Sequence, residues 1–287
     1  MNYRHAFHAG NFADVFKHVL LARILVYLTR KDAPLRFLDT HAGVGRYDLT
    51  GQEAQRSGEW RFGIARFKSA SPPPAIAALL APYLDAVGAL DAQGRTKTYP
   101  GSPAIAQALL RAQDRIALCE LHPEDRMALV AAMGRDARLS IVEIDGYVAL
   151  NAWLPPKERR GLVLLDPPYE APNESKRVTE ALAAALAKWP NGAYALWRPI
   201  KDRRDDARFL NGIAALGAPG ILQMELDVGP IAPTAHAPAP LTRCGLLVVN
   251  PPHVLIDEAR ALLPWLAGLL ARDGHGASSC SWLTPPL

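Results

Sequence analysis

Gly161-Leu162-Val163-Leu164-Leu165-Asp166-Pro167-Pro168-Tyr169 reads as a strand buried on both faces that stops abruptly at an acid. An apolar run without polar alternation suits a central strand of a parallel sheet, covered by helices on either side. Two prolines then remove backbone donors, end the ladder and stiffen the turn. In open α/β sheets ligands bind beyond the carboxyl ends of strands, which is where Asp166 and Tyr169 fall. A rigid turn of this kind holds the Asp166 carboxylate and the Pro167 carbonyl in a fixed relation. That gives two acceptors for the two hydrogens of an amino group, with the Tyr169 ring available to stack on a flat base.

Outward from this segment, short β-rich runs alternate with helical patterns, the signature of a mainly parallel sheet covered by helices. The other expected strands are Arg36–Thr40, Ile116–Leu121, Ser140–Asp145, Ala193–Arg198, Ile221–Leu226 and Gly245–Asn250, seven in all with Gly161–Asp166. Val178, Leu182, Ala185 and Leu186 recur at helical spacing, and a last helix beginning near Asp257 carries Leu262, Leu263, Leu266 and Leu270, with Pro264 expected to break or kink it. Near the N-terminus, Asn11 is placed to cap a long helix whose Phe12, Val15, Phe16, Val19 and Ile24 form an apolar stripe. Lys17 and His18 stand next to one another near its start, so one or both are placed to project toward the ligand crevice. The rhythm breaks at about 48–99, where Ser71-Pro72-Pro73-Pro74 precedes Ile76, Leu79, Leu80, Tyr83, Val87 and Leu90 at helical intervals. The chain therefore divides into a main domain, 1–47 and 100–287, and an inserted helical subdomain, 48–99. A second proline-rich segment, 231–241, is expected to be a long exposed loop.

Other strand ends carry complementary chemistry. Leu38-Asp39-Thr40-His41-Ala42-Gly43-Val44-Gly45 runs from a strand into a Gly-x-Gly turn, which lets a nucleotide-like ligand approach the backbone. The third glycine of a dinucleotide fingerprint is missing, which argues against NAD; S-adenosylmethionine has no pyrophosphate and needs only the shorter turn. Glu120, at the end of the next strand, is placed to accept hydrogen bonds from ribose hydroxyls, and Asp145 of Glu143-Ile144-Asp145-Gly146 to accept from the cofactor's adenine amino group. Methyl transfer from a sulfonium requires in-line positioning and charge complementarity, and no metal. Val249-Asn250-Pro251-Pro252-His253 imitates the first motif with an amide in place of the acid, but lies far from the central crossover and is read as structural.

The chain has 287 residues, 49% of them hydrophobic, with a net charge of +4 and a pI near 9.0. That is enough for a full core and points weakly toward a polyanionic partner. Basic residues concentrate in three groups: Arg4, His5, His8, Lys17 and His18; Lys157, Arg159 and Arg160; and Arg198, Lys201, Arg203, Arg204 and Arg208. Each alone reads as a solvated face, and beside a base-modifying site as phosphate contacts. Cys119, Cys244 and Cys280 show no CxxC spacing, so neither a disulfide framework nor a zinc knuckle is expected. No apolar run reaches the roughly 18 residues of a membrane span and no signal-peptide cleavage pattern is present, so a cytoplasmic location is expected.

With these motifs assembled, the sequence resembles the RlmJ family, bacterial methyltransferases that make N6-methyladenine in large-subunit (23S) ribosomal RNA. The resemblance spans nearly the whole chain. It rests on Tyr3-Arg4-His5-Ala6-Phe7-His8-Ala9-Gly10-Asn11, Asp14-Val15-Phe16-Lys17-His18, Leu38-Asp39-Thr40-His41-Ala42-Gly43, Tyr99-Pro100-Gly101-Ser102-Pro103, Glu120-Leu121-His122-Pro123 and Asp166-Pro167-Pro168-Tyr169-Glu170. The opening segment is the most specific of these. The resemblance implies a Rossmann-like class I methyltransferase fold and S-adenosylmethionine as methyl donor. It implies cofactor contacts at His18, His41, Ser102, Glu120, Asp145, Gly146 and Asp166, beside the Gly43 turn, and Asp166 as the catalytic acceptor with Pro167 and Tyr169. Tyr3 would contact the substrate, with His5 and Lys17 close to it. The chain departs from the family around 69–74 and 231–241, which leaves the inserted subdomain's RNA contacts open. The substrate is expected to be naked or early-precursor rRNA with the target base out of its stack, and no obligate protein partner is apparent. Two alternatives remain: a DNA adenine methyltransferase, which calls for a larger target-reading region, and a noncatalytic RNA binder, which would not need Asp166, Pro167 and Tyr169 together.

Overall fold

The computed structural model describes residues 5–231, 240–272 and 274–286. Tyr3, Arg4 and most of the loop 231–241 lie outside the described residues, so the expectations that fall on them have no structural counterpart here. The main sheet consists of β1 (Arg36–Asp39), β2 (Arg115–Cys119), β3 (Leu139–Val142), β4 (Gly161–Leu165), β5 (Ala193–Pro199), β6 (Ile221–Asp227), β7 (Arg243–Val249) and β8 (Ala277–Thr284). Their spatial order is β8-β6-β7-β5-β4-β1-β2-β3. The five strands from β3 to β5 are parallel, β7 runs antiparallel to both β5 and β6, and β8 runs antiparallel to β6. This is the Rossmann-like arrangement of class I methyltransferases, with eight strands in place of the seven expected. The extra strand, Ala-Ser-Ser-Cys-Ser-Trp-Leu-Thr, is a half-exposed edge and carries no apolar run that marks a buried strand.

The order reverses between β1 and β4, the switch point where ligands bind in such sheets. In register, Asp39 lies opposite Leu164, so the β1 and β4 ends open into one crevice. Helices cover both faces. Gly146–Trp153, Glu174–Lys188 and Arg203–Ala214 pack on one, burying Leu150, Val178, Leu182 and Ile213. On the other lie Phe12–Thr29, Pro74–Val87, Ser102–Leu109 and Leu255–Leu270. The last of these passes through Pro264 without a break.

The Phe12–Thr29 helix starts where Asn11 accepts hydrogen bonds from the Ala13 and Asp14 amides, an N-cap. Instead of an apolar stripe, every residue from Phe12 to Leu25 is buried. The helix is enclosed by the sheet and by the Pro74–Val87, Ser102–Leu109 and Leu255–Leu270 helices. Helical order in 48–99 comes from Gln52–Ser57, two 3₁₀ segments and Pro74–Val87, and its two ends are joined by a ribbon pairing Arg46–Tyr47 with Tyr99–Pro100. Trp60, Ile64, Leu80 and Tyr83 of this segment enter the same core as the first helix. No helix of the described residues is long and apolar enough to cross a membrane.

Candidate active site

The four strand ends β1, β2, β3 and β4 each deliver an acid to the crevice: Asp39, Glu120, Asp145 and Asp166. Asp166 receives the Lys17 ammonium on Oδ2 at 2.5 Å, a cation brought from the first helix across 149 positions of sequence. Lys17 also sits 3.1 Å from Asp14 Oδ1, one helical turn back. Burial alone would push the Lys17 ammonium down, but the carboxylates of Asp166 and Asp14 outweigh it and hold it well above the usual lysine range. Neither Asp166 Oδ1 nor the Pro167 carbonyl takes a hydrogen bond among the described residues.

Tyr169 follows in the left-handed region at φ +52°, a conformation costly for a ring-bearing residue and set here by the turn. Its hydroxyl donates to the Trp197 carbonyl at 2.9 Å, and its ring meets Trp197 edge-on at 6.1 Å. Trp197 lies beside the motif because Leu165 pairs with Leu196 across β4 and β5. Its ring also takes Lys17 Nζ at 6.0 Å.

Asp14 is the hub behind Lys17. Only 2% exposed, it accepts on Oδ2 from His5 Nε2 and the Gly10 amide, both at 2.9 Å. Burial pushes its carboxyl up, but its interactions with His5 and Lys17 prevail and hold it well below the ordinary range. His18, 1% exposed, is pushed down to about 3 by burial and is therefore neutral near pH 7. Its Nδ1 pairs with the Tyr99 hydroxyl at 3.0 Å, which in turn meets the Tyr83 hydroxyl at 3.1 Å.

On the other side of the crevice the Gly-x-Gly turn takes φ +59° at Gly43 and +74° at Gly45. At φ +59° a side chain on Gly43 would be strained, and its Cβ would also come within 2.4 Å of the Tyr47 hydroxyl. Glu120 accepts from the Gly43 amide at 2.8 Å and from the His122 amide at 2.9 Å, one on each oxygen. Burial raises its carboxyl above the usual range. Asp39, fully buried, is pushed up to about 7 by burial, against the Ser102 hydroxyl that donates to it at 2.6 Å. Asp145 caps the Gly146–Trp153 helix through the Tyr147 and Val148 amides and accepts from Arg177 on its other oxygen. Gly146 lies so close to β1 that a Cβ there would sit 2.1 Å from the Thr40 carbonyl oxygen. His41 packs on Tyr147 at 5.3 Å and is depressed by burial.

The structure thus brings together Lys17, His18, His41, Gly43, Ser102, Glu120, Asp145, Gly146, Asp166, Pro167, Tyr169 and His5, all singled out from sequence. It adds Asp14 and Trp197. Asp14 was legible in its i, i+3 spacing from Lys17 and Trp197 in its register with the β4 end, but neither signal is strong alone. The basic groups separate. Lys157, Arg159 and Arg160 precede β4 and lie at the end of the sheet away from the crevice, where Arg160 donates to the Leu28 and Ala33 carbonyls. Arg198 is buried and paired with Asp206 and Glu225, so it is structural rather than a solvated face. Lys201, Arg203 and Arg204 are exposed just beyond β5, at the crevice end.

Comparison with known proteins gives one consistent result. The profile of the family described as "Ribosomal RNA large subunit methyltransferase D, RlmJ" matches residues 32–284. Two proteins named ribosomal RNA large subunit methyltransferase J, from Escherichia coli and Haemophilus influenzae, are 41% and 38% identical to this chain, each covering 99% of both sequences. The crystal structure of a Legionella pneumophila protein superposes with a TM-score of 0.85 at 34% identity, over 96% of this chain and 98% of that one.

Proposed function

This chain belongs to the RlmJ family of ribosomal RNA large-subunit methyltransferases, and we propose that it transfers a methyl group from S-adenosylmethionine to the N6 of an adenine in 23S rRNA whose base has left its stack. The observation that carries this reading is the Asp166 turn: one carboxylate oxygen is fixed by Lys17, while the other and the Pro167 carbonyl remain as acceptors beside two aromatic rings.

Adenine N6 is a poor nucleophile because its lone pair is delocalised into the ring. Accepting both N–H bonds, at Asp166 Oδ1 and the Pro167 carbonyl, favours a pyramidal nitrogen with its lone pair free to point at an electrophile. Tyr169, braced against Trp197, supplies the stacking surface that holds the extruded base. Lys17 stays protonated and fixes the carboxylate's orientation without occupying both its oxygens. His5, tied to Asp14, sits with Lys17 on the substrate side, and substrate contact is the role proposed for Tyr3.

The residues on the other side of the crevice fit the cofactor. The Gly43 turn, at a positive φ that disfavours a side chain, lets a ligand approach the backbone, and Glu120 is held by two amides with lone pairs to spare for a ribose diol. Bound there, S-adenosylmethionine would supply an activated methyl on a sulfonium. Asp145 and Gly146 would border its adenine, and His18, His41 and Ser102 would hold the turn and the acids in place, with Asp166 closing the side toward the base. Lys201, Arg203 and Arg204 lie where the phosphates of protein-free or early-precursor rRNA would approach.

Labelled methyl transfer to total nucleic acid from cells lacking the enzyme tests this reading. Label should enter 23S rRNA and digest to N6-methyladenosine. Label in DNA alone, or on another atom of the base, would overturn it.

A further inference from the structure

Arg208 is held by Asp205 and the half-buried Arg126 by Glu143. A face of the 48–99 segment is built differently. Arg61 lies with its guanidinium carbon 5.2 Å from the centroid of the Trp60 ring, and Arg66 lies 5.7 Å from that of Phe62. Arg272, from the turn before β8, comes within 3.1 Å of the same Phe62 ring. Among the described residues, neither Arg61 nor Arg66 comes within ion-pair distance of a carboxylate. The nearby acids are engaged elsewhere: Glu59 takes His8 and Asn11, and Asp91 takes Arg95. A ring orders a guanidinium without neutralising it, so these arginines keep both their charge and a fixed position. Phe62 is 37% exposed, one of few large apolar side chains left open to solvent.

The face lies at the crevice end of the sheet. β6 ends there at Asp227, and the Arg272 amide donates to the Val228 carbonyl just beyond it. Ile64, two residues after Phe62, donates to the Gly10 carbonyl, and Glu59 reaches His8. The arginines therefore stand beside the His8–Gly10 stretch that leads into the first helix.

We propose that this arginine-on-aromatic face is a second RNA contact, gripping backbone phosphates of the strand that flanks the target nucleotide. The proposal rests on the RNA-methylating reading above. Phosphate oxygens suit planar, multi-donor guanidinium groups, and ordering them in advance lowers the entropy lost on binding. Because the contact is to backbone, it contributes affinity and salt dependence and leaves the chemistry at the base unchanged.

The test uses the full chain and its Arg61→Ala/Arg66→Ala and Arg61→Lys/Arg66→Lys variants. The probes are a protein-free 23S rRNA fragment and a short oligonucleotide spanning only the target adenosine. With thermal unfolding unchanged, the alanine pair should raise KM on the fragment about tenfold. It should also flatten the slope of log affinity against log salt by roughly 1.4–1.8, for two phosphate contacts. kcat, S-adenosylmethionine affinity and turnover of the short oligonucleotide should stay as in the parent protein, and the lysine pair should recover most of the slope. A folded alanine pair with parental slope and KM on the fragment overturns the proposal. So does an equal loss on both RNAs, which would place the effect in the base pocket. If the parent protein binds the fragment but methylates no RNA, the catalytic reading fails, while the salt slopes still decide the contact.

Discussion

Two strand ends in this protein carry nearly the same letters and meet opposite fates. Asp166-Pro167-Pro168-Tyr169 closes β4, and Asn250-Pro251-Pro252-His253 closes β7. Because β7 runs antiparallel to β5, its carboxyl end lies at the far end of the sheet from the crevice, where Val249 pairs with Tyr194 at the start of β5. There the Asn250 amide nitrogen donates to the Pro190 and Gly192 carbonyls at 2.7 and 2.8 Å, and His253 pairs with Tyr27. The amide's donors are spent on local backbone, whereas Asp166 keeps an unclaimed acceptor facing a crevice. A short motif is thus given its role by strand direction, which no local reading supplies.

The sharpest way to break this comparison is Asp166→Ala. It removes an acceptor from the turn and no core side chain, so methyl transfer should fall by about two to three orders of magnitude, as when an aligned polar group is lost from a transition state. The variant should still fold, because Lys17 keeps Asp14 as a partner, but melt at a lower temperature for the loss of one carboxylate from a buried ammonium. Near-parental transfer by the folded variant would remove Asp166 from the mechanism. Next comes Glu120→Ala, read by calorimetry. Loss of charge-assisted bonds to a diol should weaken S-adenosylmethionine binding by about 1.5–3 kcal/mol, and unchanged affinity would put the ribose elsewhere.

At the other end, Asn250→Ala should cost stability and spare chemistry. Two carbonyls lose their donor and a residue with φ +51° loses its preferred side chain. Together these amount to about 2 kcal/mol and a melting point lower by several degrees. A fall in kcat with unchanged melting would contradict the structural role. The smallest effect sharpens the contrast through pH. Asp39 is raised to about 7 by burial, so the folded chain holds an extra proton between about pH 4 and 7, and its contribution to stability falls as pH rises through that window. His18, depressed to about 3, slopes the other way between about pH 3 and 6.5. The difference between Asp39→Asn and the parent protein isolates the first effect: the variant should gain relative stability from pH 4 to 7 and level off above. A difference that stays flat across that range would show that Asp39 is ionised throughout.

Much of the fold was legible from sequence because the central strands are apolar runs that end in acids or glycines, as at Leu165-Asp166 and Cys119-Glu120. β8 was not, since its Ser278-Ser279-Cys280-Ser281 core is amphipathic only by virtue of the partner it pairs with. The site's acids were legible for the same reason as the strands, each standing where a run stops. Its cation network was only partly so. Lys17 and His18 could be flagged as neighbours of the crevice, but the burial of Asp14, Lys17 and His18 within one helix depends on how four elements enclose it. The arginine face around Phe62 was not legible, because Arg272 reaches it from more than 200 positions away.

The hydrogen-bonded chain from His18 Nδ1 through the Tyr99 hydroxyl to the Tyr83 hydroxyl joins the helix bearing Lys17 to the Pro74–Val87 helix of the 48–99 segment. All three side chains are buried, so each is an obligate partner of the next. This bears on how such a protein can change in descent. Exchanging the segment for one without the Tyr99 and Tyr83 hydroxyls would strand the buried His18 nitrogen beside the pocket. Changes on its outer turns, where Arg61, Phe62 and Arg66 stand, leave that buried chain untouched, whereas changes at Tyr83 or Tyr99 reach the helix that bears Lys17.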